Sequence, residues 1–184
     1  IICMKGNKLM IEITGHTQLY GLLGSPVAHS ISPMMHNEAF RLLNIDSVYL
    51  CFDVDTKSLT TAVEGLKAIG IKGFNCTMPD KNLMCEIADE LSPAAKLVGA
   101  VNTVVNDNGK LIGHMTDGIG YMRAAMDAGF NIIGKNMTLL GAGGAATAIC
   151  AQAALDGVKN INVFSIKDQF FDRAQNLVDN INAN

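Results

Sequence analysis

The sequence predicts an α/β fold with mainly parallel sheets, arranged as two successive units. Three observations carry the prediction. Short apolar runs alternate with stretches of helical period along most of the chain. Turn chemistry falls between them, with Ser or Pro where helices would start and Gly where they would end. A glycine cluster, Gly141, Gly143 and Gly144, sits between an apolar run and a helical one. Strands separated by helices pair in parallel through right-handed crossovers, so the alternation speaks to sheet type as well as to class.

The elements follow in order. Gln18–Gly24 (QLYGLLG) reads as a buried strand. The stretch SPMMHNEAFRLLN reads as a helix, with Ser32 as N-cap and Pro33 in the first helical position, where its missing N–H is not needed. Ser47–Val54 is the second strand, and Thr56–Gly70 the second helix, closed by Gly70. Ile71–Asn75 is the third strand, followed by one helix from Pro79 to Ser92. Ala100–His114 carries strand character on both sides of Asn108-Gly109, a pair suited to a tight hairpin turn. Asp117–Phe130 is the next helix. The second unit opens with a strand at Asn136–Gly141. The glycine turn leads into a helix ending at Gly157, a strand at Lys159–Ile166 and a last helix from Asp168. The division is expected between 1–117 and 118–184, with the Ile119–Ala128 helix as the link. Ile1–Met10 reads as an unstructured lead-in.

Composition narrows the function classes. The 184 residues are 49% hydrophobic and 17% charged, which suits a packed core and argues against disorder. Aromatics make up 5% and Trp is absent, so that core must be aliphatic. A net charge of −3 and the lack of a basic stripe interleaved with aromatics argue against a nucleic-acid partner. No apolar run approaches the roughly 20 residues of a membrane span, so no membrane partner is expected. The 5 cysteines, Cys3, Cys51, Cys76, Cys85 and Cys150, show no CxxC spacing. That pattern suits reduced thiols in a cytoplasm better than a disulfide framework or a zinc site. His29 and His36 lack helical spacing and a third ligand, so no metal is expected either.

The glycine turn has its own chemistry. Its first glycine permits a tight turn, its second lets a pyrophosphate approach the backbone, and the following helix N-terminus favours the negative charge. Ala146 leaves room for close helix–strand packing. The unit therefore reads as a Rossmann-like dinucleotide site, or as a tight turn with no ligand. Only two strands of one mononucleotide half are present, so the dinucleotide-binding unit is partial. Asp168, after the second of those strands, is placed to bind a ribose 2′-hydroxyl, and Lys167 beside it would attract a 2′-phosphate. Asp168 could equally cap the last helix. The cofactor expected is NAD or NADP, with NAD favoured.

In an open parallel sheet, ligands bind beyond the carboxyl ends of the strands. Polar residues gather at such ends here. His29, Ser30 and Ser32 follow the first strand, and Asn75, Thr77 and Lys81 the third. Asn102 and Thr103 lie in GAVNT, and Thr116 and Asp117 precede a helix. Each has an ordinary reading as cap, turn former or solvated residue. Together they suit a small polyhydroxylated acid. Serine hydroxyls would hold a carboxylate, Asn, Thr and Asp would fix ring hydroxyls, and a nearby lysine and aspartate would move a proton as a ketone becomes an alcohol. His36 reads as a packing residue and Cys76 as a small packed one.

Five stretches occur in an order that resembles one family: GSPVAHSISPMMHN (Gly24–Asn37), FNCTMPDK (Phe74–Lys81), GAVNT (Gly99–Thr103), TDGIG (Thr116–Gly120) and GAGGAA (Gly141–Ala146). The chain resembles the shikimate dehydrogenases, with LSPAAKLVGAVNTVVNDNGKLIGH most similar to the quinate/shikimate branch. The resemblance implies an N-terminal parallel-sheet substrate domain, a Rossmann-like cofactor domain, and an active site between them. It implies reversible NAD(P)-dependent reduction of 3-dehydroshikimate to shikimate, or quinate oxidation, by a monomer or homodimer. By motif match, Ser30 and Ser32 would bind the substrate carboxylate, and Thr77, Asn102 and Asp117 its ring hydroxyls. Lys81 would be the acid/base, working with Asp117. Gly141, Gly143, Gly144 and Ala145 would form the diphosphate loop. Met115 stands where the family has Asn, which would loosen the loop carrying Asp117. Ser165, Ile166 and Lys167 stand where many members carry arginine, which weakens the case for NADP. Family members continue beyond Asn184, so a non-catalytic ligand-binding homologue is the alternative. A methylene-tetrahydrofolate dehydrogenase is disfavoured by the serines of HSISP.

Overall fold

A computed structural model describes residues 13–167 and 171–183. Strand β1 (Gln18–Gly24) is central to the first sheet and pairs in parallel with both β2 (Ser47–Asp53) and β3 (Gly73–Cys76). The crossovers are α1 (Ser32–Leu43) and α2 (Leu59–Ala68). Helix α2 buries Leu59, Val63 and Leu66, spaced on one face at helical period, which is what presses it onto the sheet. Gly70 follows α2 at φ +79, the left-handed conformation in which a helix commonly ends on glycine.

The structure corrects two expected helix starts. Helix α1 begins at Ser32, but its N-cap is Ile31, and Ser30 supplies the oxygen that takes the Ser32 N–H, at 3.2 Å. A cap acceptor two residues earlier does the work expected of Ser32. The single helix expected from Pro79 to Ser92 is replaced by three elements. A turn occupies 78–82, α3 is only Leu83–Ile87, and β4 (Glu90–Leu91) and α4 (Pro93–Val98) follow. The physical reason is tertiary. The Lys81 carbonyl is taken by the Val101 N–H at 2.8 Å, and the Asp89 N–H by the Leu111 carbonyl at 2.9 Å, so neither serves a continuous helix. Ser92 caps α4 by accepting from the Ala95 N–H, with Pro93 directly inside.

Strands β5 (Thr103–Asp107) and β6 (Lys110–His114) form the expected hairpin. Asn108 (φ 52) and Gly109 (φ 94) supply the two positive φ angles of its turn. Strand β5 runs antiparallel to β3, so the six-stranded sheet, in the order β2-β1-β3-β5-β6-β4, is mixed rather than wholly parallel. The core is aliphatic: Leu23, Leu59, Val63, Ile71, Met84 and Val101 are fully shielded from solvent.

Helix α5 (Asp117–Asp127) leads to a second, parallel sheet of β7 (Asn136–Leu140) and β8 (Asn160–Phe164), joined by α6 (Gly144–Leu155) and followed by α7 (Phe171–Ala183). Ala148 of α6 joins the buried cluster of the first sheet, so the two sheets share packing. Met115 is 3% exposed in that same cluster, a firmly packed position that opposes the loosening expected of it. Among the described residues, no helix is long and apolar enough to cross a membrane. Ile1–Met10 and Asp168 lie outside the described residues.

Candidate active site

The sheet register gathers the polar residues at one edge. Strands β1 and β3 are parallel, so their carboxyl ends lie together, and Ser30, Ser32, Thr77 and Lys81 all follow those ends. Strand β5 is antiparallel to β3, which places its start, Asn102–Thr103, at that edge too, with Asn75 opposite Thr103. Strand β6 returns antiparallel, putting His114 opposite Thr103 and delivering Thr116 and Asp117 to the same place.

Three of the expected site residues are in direct contact. The Lys81 ammonium donates to Asp117 Oδ2 at 2.7 Å, and the two side chains are 28% and 36% exposed. Asn102 donates from Nδ2 to Asp117 Oδ1 at 2.5 Å. Asn102 is itself oriented without ambiguity, because the Thr116 N–H can only donate and reaches Asn102 Oδ1 at 2.8 Å. Each carboxylate oxygen of Asp117 therefore has a distinct donor. Ser30 and Ser32 lie at the same sheet edge, bonded to each other through the Ser32 N–H. Thr77 is fixed by its backbone, whose N–H donates to Leu23 at 2.9 Å, and the adjoining Met78 carbonyl accepts from the Ser25 N–H at 3.1 Å.

Asn75 and Thr103 hold the framework. Tyr49 donates its hydroxyl to Asn75 Oδ1 at 2.7 Å, which turns the Asn75 amide nitrogen toward the Asn102 carbonyl at 3.1 Å and Thr103 Oγ1 at 3.0 Å. Thr103 in turn donates to Asn102 Oδ1 at 3.2 Å. Sequence reading missed Tyr49, a buried inward position of β2 with no local signal beyond strand alternation. Asn37 brackets it, accepting from its N–H at 2.8 Å and donating to its carbonyl at 2.9 Å. Burial raises the Tyr49 phenol far above its ordinary range, so it stays a neutral donor. Burial likewise pushes the Cys76 thiol up to about 12, with Asp80 adding to the rise, which leaves it a packed residue and no nucleophile.

His36 stacks on Tyr49, centroids 4.3 Å apart and planes 15° from parallel. Burial lowers its pKa from the ordinary 6.5. Folding thus favours neutral imidazole: the stabilisation is whole above 6.5 and is lost as pH falls through the lowered folded value. Urea midpoints should therefore fall more steeply from about pH 7 to about pH 5 in the parent than in His36→Phe, which keeps the ring stack but does not titrate. Equal slopes would remove His36 from the account.

The glycine turn faces this site. Gly141 adopts φ +96, open to glycine and costly for other residues, and Gly143 caps α6. A Cβ at Gly141, Gly143 or Gly144 would meet no atom within 4 Å, so a ligand has open access to the backbone. Thr147 anchors the turn through Oγ1 to the Gly143 carbonyl at 3.0 Å. The first N–H groups of a 12-residue helix have no partners within the helix and carry its positive dipole end, which fits a pyrophosphate. Ala145 lies in that first turn, and Lys167 is exposed just beyond β8. A cavity of about 670 Å³ is lined by Lys81, Asn82 and Met115 on one side and by Ala142, Gly144 and Thr147 on the other. Asn176 and Leu177 of α7 line it too.

The fold and site together define a two-unit α/β protein with a small-ligand cleft, where a lysine–aspartate pair meets a dinucleotide-type glycine turn. Residues 22–104 match the family model described as the shikimate dehydrogenase substrate binding domain. Over 177 residues the chain is 58% identical to a shikimate dehydrogenase (NADP(+)) of Listeria monocytogenes serotype 4b (strain F2365), covering 96% of this chain. It spans 61% of that relative's length. A crystal structure of shikimate 5-dehydrogenase from Listeria monocytogenes, in complex with shikimate and NAD, superposes with a TM-score of 0.92 at 58% identity, covering 96% of this chain and 61% of that one. The quinate dehydrogenase of Corynebacterium glutamicum, in complex with NAD, gives 0.80 at 32% identity, covering 91% and 60%.

Proposed function

We propose that this chain carries the substrate domain and the first part of the cofactor domain of a shikimate dehydrogenase, divided at about residue 117. The reaction is reversible reduction of 3-dehydroshikimate to shikimate, with quinate as a second candidate substrate. The observation that carries the reading is Lys81, 2.7 Å from Asp117 and lining the cavity that the glycine turn also lines. Relatives named for the same reaction and bound to shikimate or to NAD support it. The protein would work in the cytoplasm, as a monomer or homodimer.

Each residue then has a task. Ser30 and Ser32 hold the substrate carboxylate by their hydroxyls. Thr77, Asn102 and Asp117 hold ring hydroxyls. Lys81 delivers a proton to the carbonyl oxygen as that oxygen gains charge, and Asp117 keeps the ammonium aimed. In the reverse direction the Lys81 amine takes the proton back. NAD or NADP, held through Gly141, Gly143, Gly144 and Ala145 with Lys167 and Asp168 toward the ribose, would supply or accept the hydride.

Calorimetric titration of the chain with shikimate tests the binding half. Binding should weaken about tenfold in Ser30→Ala or Ser32→Ala, the loss of one hydrogen bond to a charged group. Titrations unmoved by both changes would place the carboxylate elsewhere. Cofactor absorbance at steady state, with protein from the complete open reading frame, tests the hydride half. Binding of shikimate without cofactor turnover would favour a ligand-binding homologue.

A further inference from the structure

Asp80 is a buried acid that the proposed chemistry leaves without a task. It lies next to Lys81 and is 0% exposed. Its Oδ1 accepts a hydrogen bond from the Thr56 hydroxyl at 3.0 Å. Its Oδ2 has no hydrogen-bond partner among the described residues. Leaving a buried carboxyl oxygen unmatched is costly, and natural proteins keep such departures mainly where function requires them.

The backbone around Asp80 explains what the side chain could hold. Residues 78–82 form a turn with no sheet or helix ladder to stiffen it. The Asp80 N–H donates to the Thr77 carbonyl, and the Met84 N–H to the Asp80 carbonyl, both at 3.0 Å. On the β5 side the turn is tied by Val101 to the Lys81 carbonyl at 2.8 Å and by Asn82 Nδ2 to the Gly99 carbonyl at 2.8 Å. On the other side, Ser25 reaches Met78, and Thr56, in the loop between β2 and α2, reaches Asp80. The Thr56 contact is the side-chain tie next to Lys81 from that direction.

We propose that Asp80 is a positioning residue, clamped by Thr56 so that the 78–82 turn presents the Lys81 ammonium to Asp117. Its value to catalysis rests on the reading of Lys81 as proton donor, but the geometry can be tested without ligand. Burial holds the Asp80 carboxyl above the usual carboxylate range, Thr56 pulls it down, and Asp55 adds to the rise. A group drawn toward its neutral form serves as an acceptor for Thr56 rather than as a second counter-charge for Lys81. Asparagine offers the same acceptor and should replace it.

The test is site-resolved acetylation of the chain by limiting acetic anhydride, with the Lys81 peptide read by mass spectrometry against exposed Lys135. Freeing Lys81 from Asp117 should raise its rate about threefold in Thr56→Val and in Asp80→Ala, the factor expected for release of a partly exposed ion pair. Asp80→Asn should restore the parent rate. Thr56 is exposed, so Thr56→Val decides the matter if Asp80→Ala does not fold. Lys81 rates within about twofold of the parent in the folded variants, or Asp80→Asn behaving as Asp80→Ala, would overturn the assignment. A purely structural role would move the melting temperature and leave the Lys81 rate alone. Failure of the dehydrogenase reading would show instead as no shikimate binding by the parent chain.

Discussion

Lys81→Ala, in protein expressed from its complete open reading frame, should lower turnover by about 10²–10⁴-fold, the range for loss of a positioned general acid. Shikimate binding should remain measurable, because the proposed reading assigns the carboxylate and ring hydroxyls to other residues. The asymmetry follows from the geometry. Asp117 keeps its Asn102 donor at Oδ1 when the ammonium is removed from Oδ2, so the carboxylate stays oriented. The measurement is cofactor absorbance at saturating substrate beside a calorimetric titration. Turnover equal to the parent would end the assignment of Lys81 as proton donor. Loss of binding together with turnover would make it a binding residue instead.

Gly118→Ala should destabilise the chain by about 1–3 kcal/mol, the cost of forcing one extra carbon into a full contact. Gly118 sits where α5 crosses α6. A Cβ there would lie 2.6 Å from the Gln152 Cβ and would strike the Ala148 carbonyl oxygen. That oxygen belongs to a helix backbone and cannot rotate away. The relief must come from shifting α6, which also carries the glycine turn, so the site should suffer with the fold. Thermal unfolding should show a midpoint lower by about 3–10 °C. Gly120→Ala is the control, since a Cβ there meets nothing within 4 Å. It should be neutral or stabilising by up to about 1 kcal/mol, as alanine is the better helix former. Equal melting of the two variants would contradict the close approach of α5 and α6.

Much of the fold was legible because its signals are local. Gln18–Gly24 reads as a strand from its apolar run, and β1 has those same bounds. Asn108-Gly109 announces a hairpin through the positive φ that both residues tolerate, and β5 and β6 flank it. The region from Pro79 to Ser92 misled for the opposite reason. Its residues have helical character, but tertiary partners claim the Lys81 carbonyl and the Asp89 N–H. Ser92-Pro93 starts α4 at the point where the single helix was expected to end.

The site divides the same way. The sequence by itself determined which chemistry is present: hydroxyls after the first strand, a lysine after the third, amides and an aspartate around the hairpin, and glycines before α6. Only the tertiary structure decided who meets whom. Lys81 and Asp117 are 36 residues apart, and they meet because β5 and β6 run antiparallel back to the edge where β3 ends. Asn75, expected among the ligand groups, spends its amide on Tyr49, Asn102 and Thr103. Asp80, expected within the helix from Pro79, is fully buried in a turn and held by Thr56 from the loop between β2 and α2. Residue type and period report what a segment can do with its neighbours in sequence. Sheet register and burial set which hydrogen-bond partners come within reach, and those partners lie dozens of residues away.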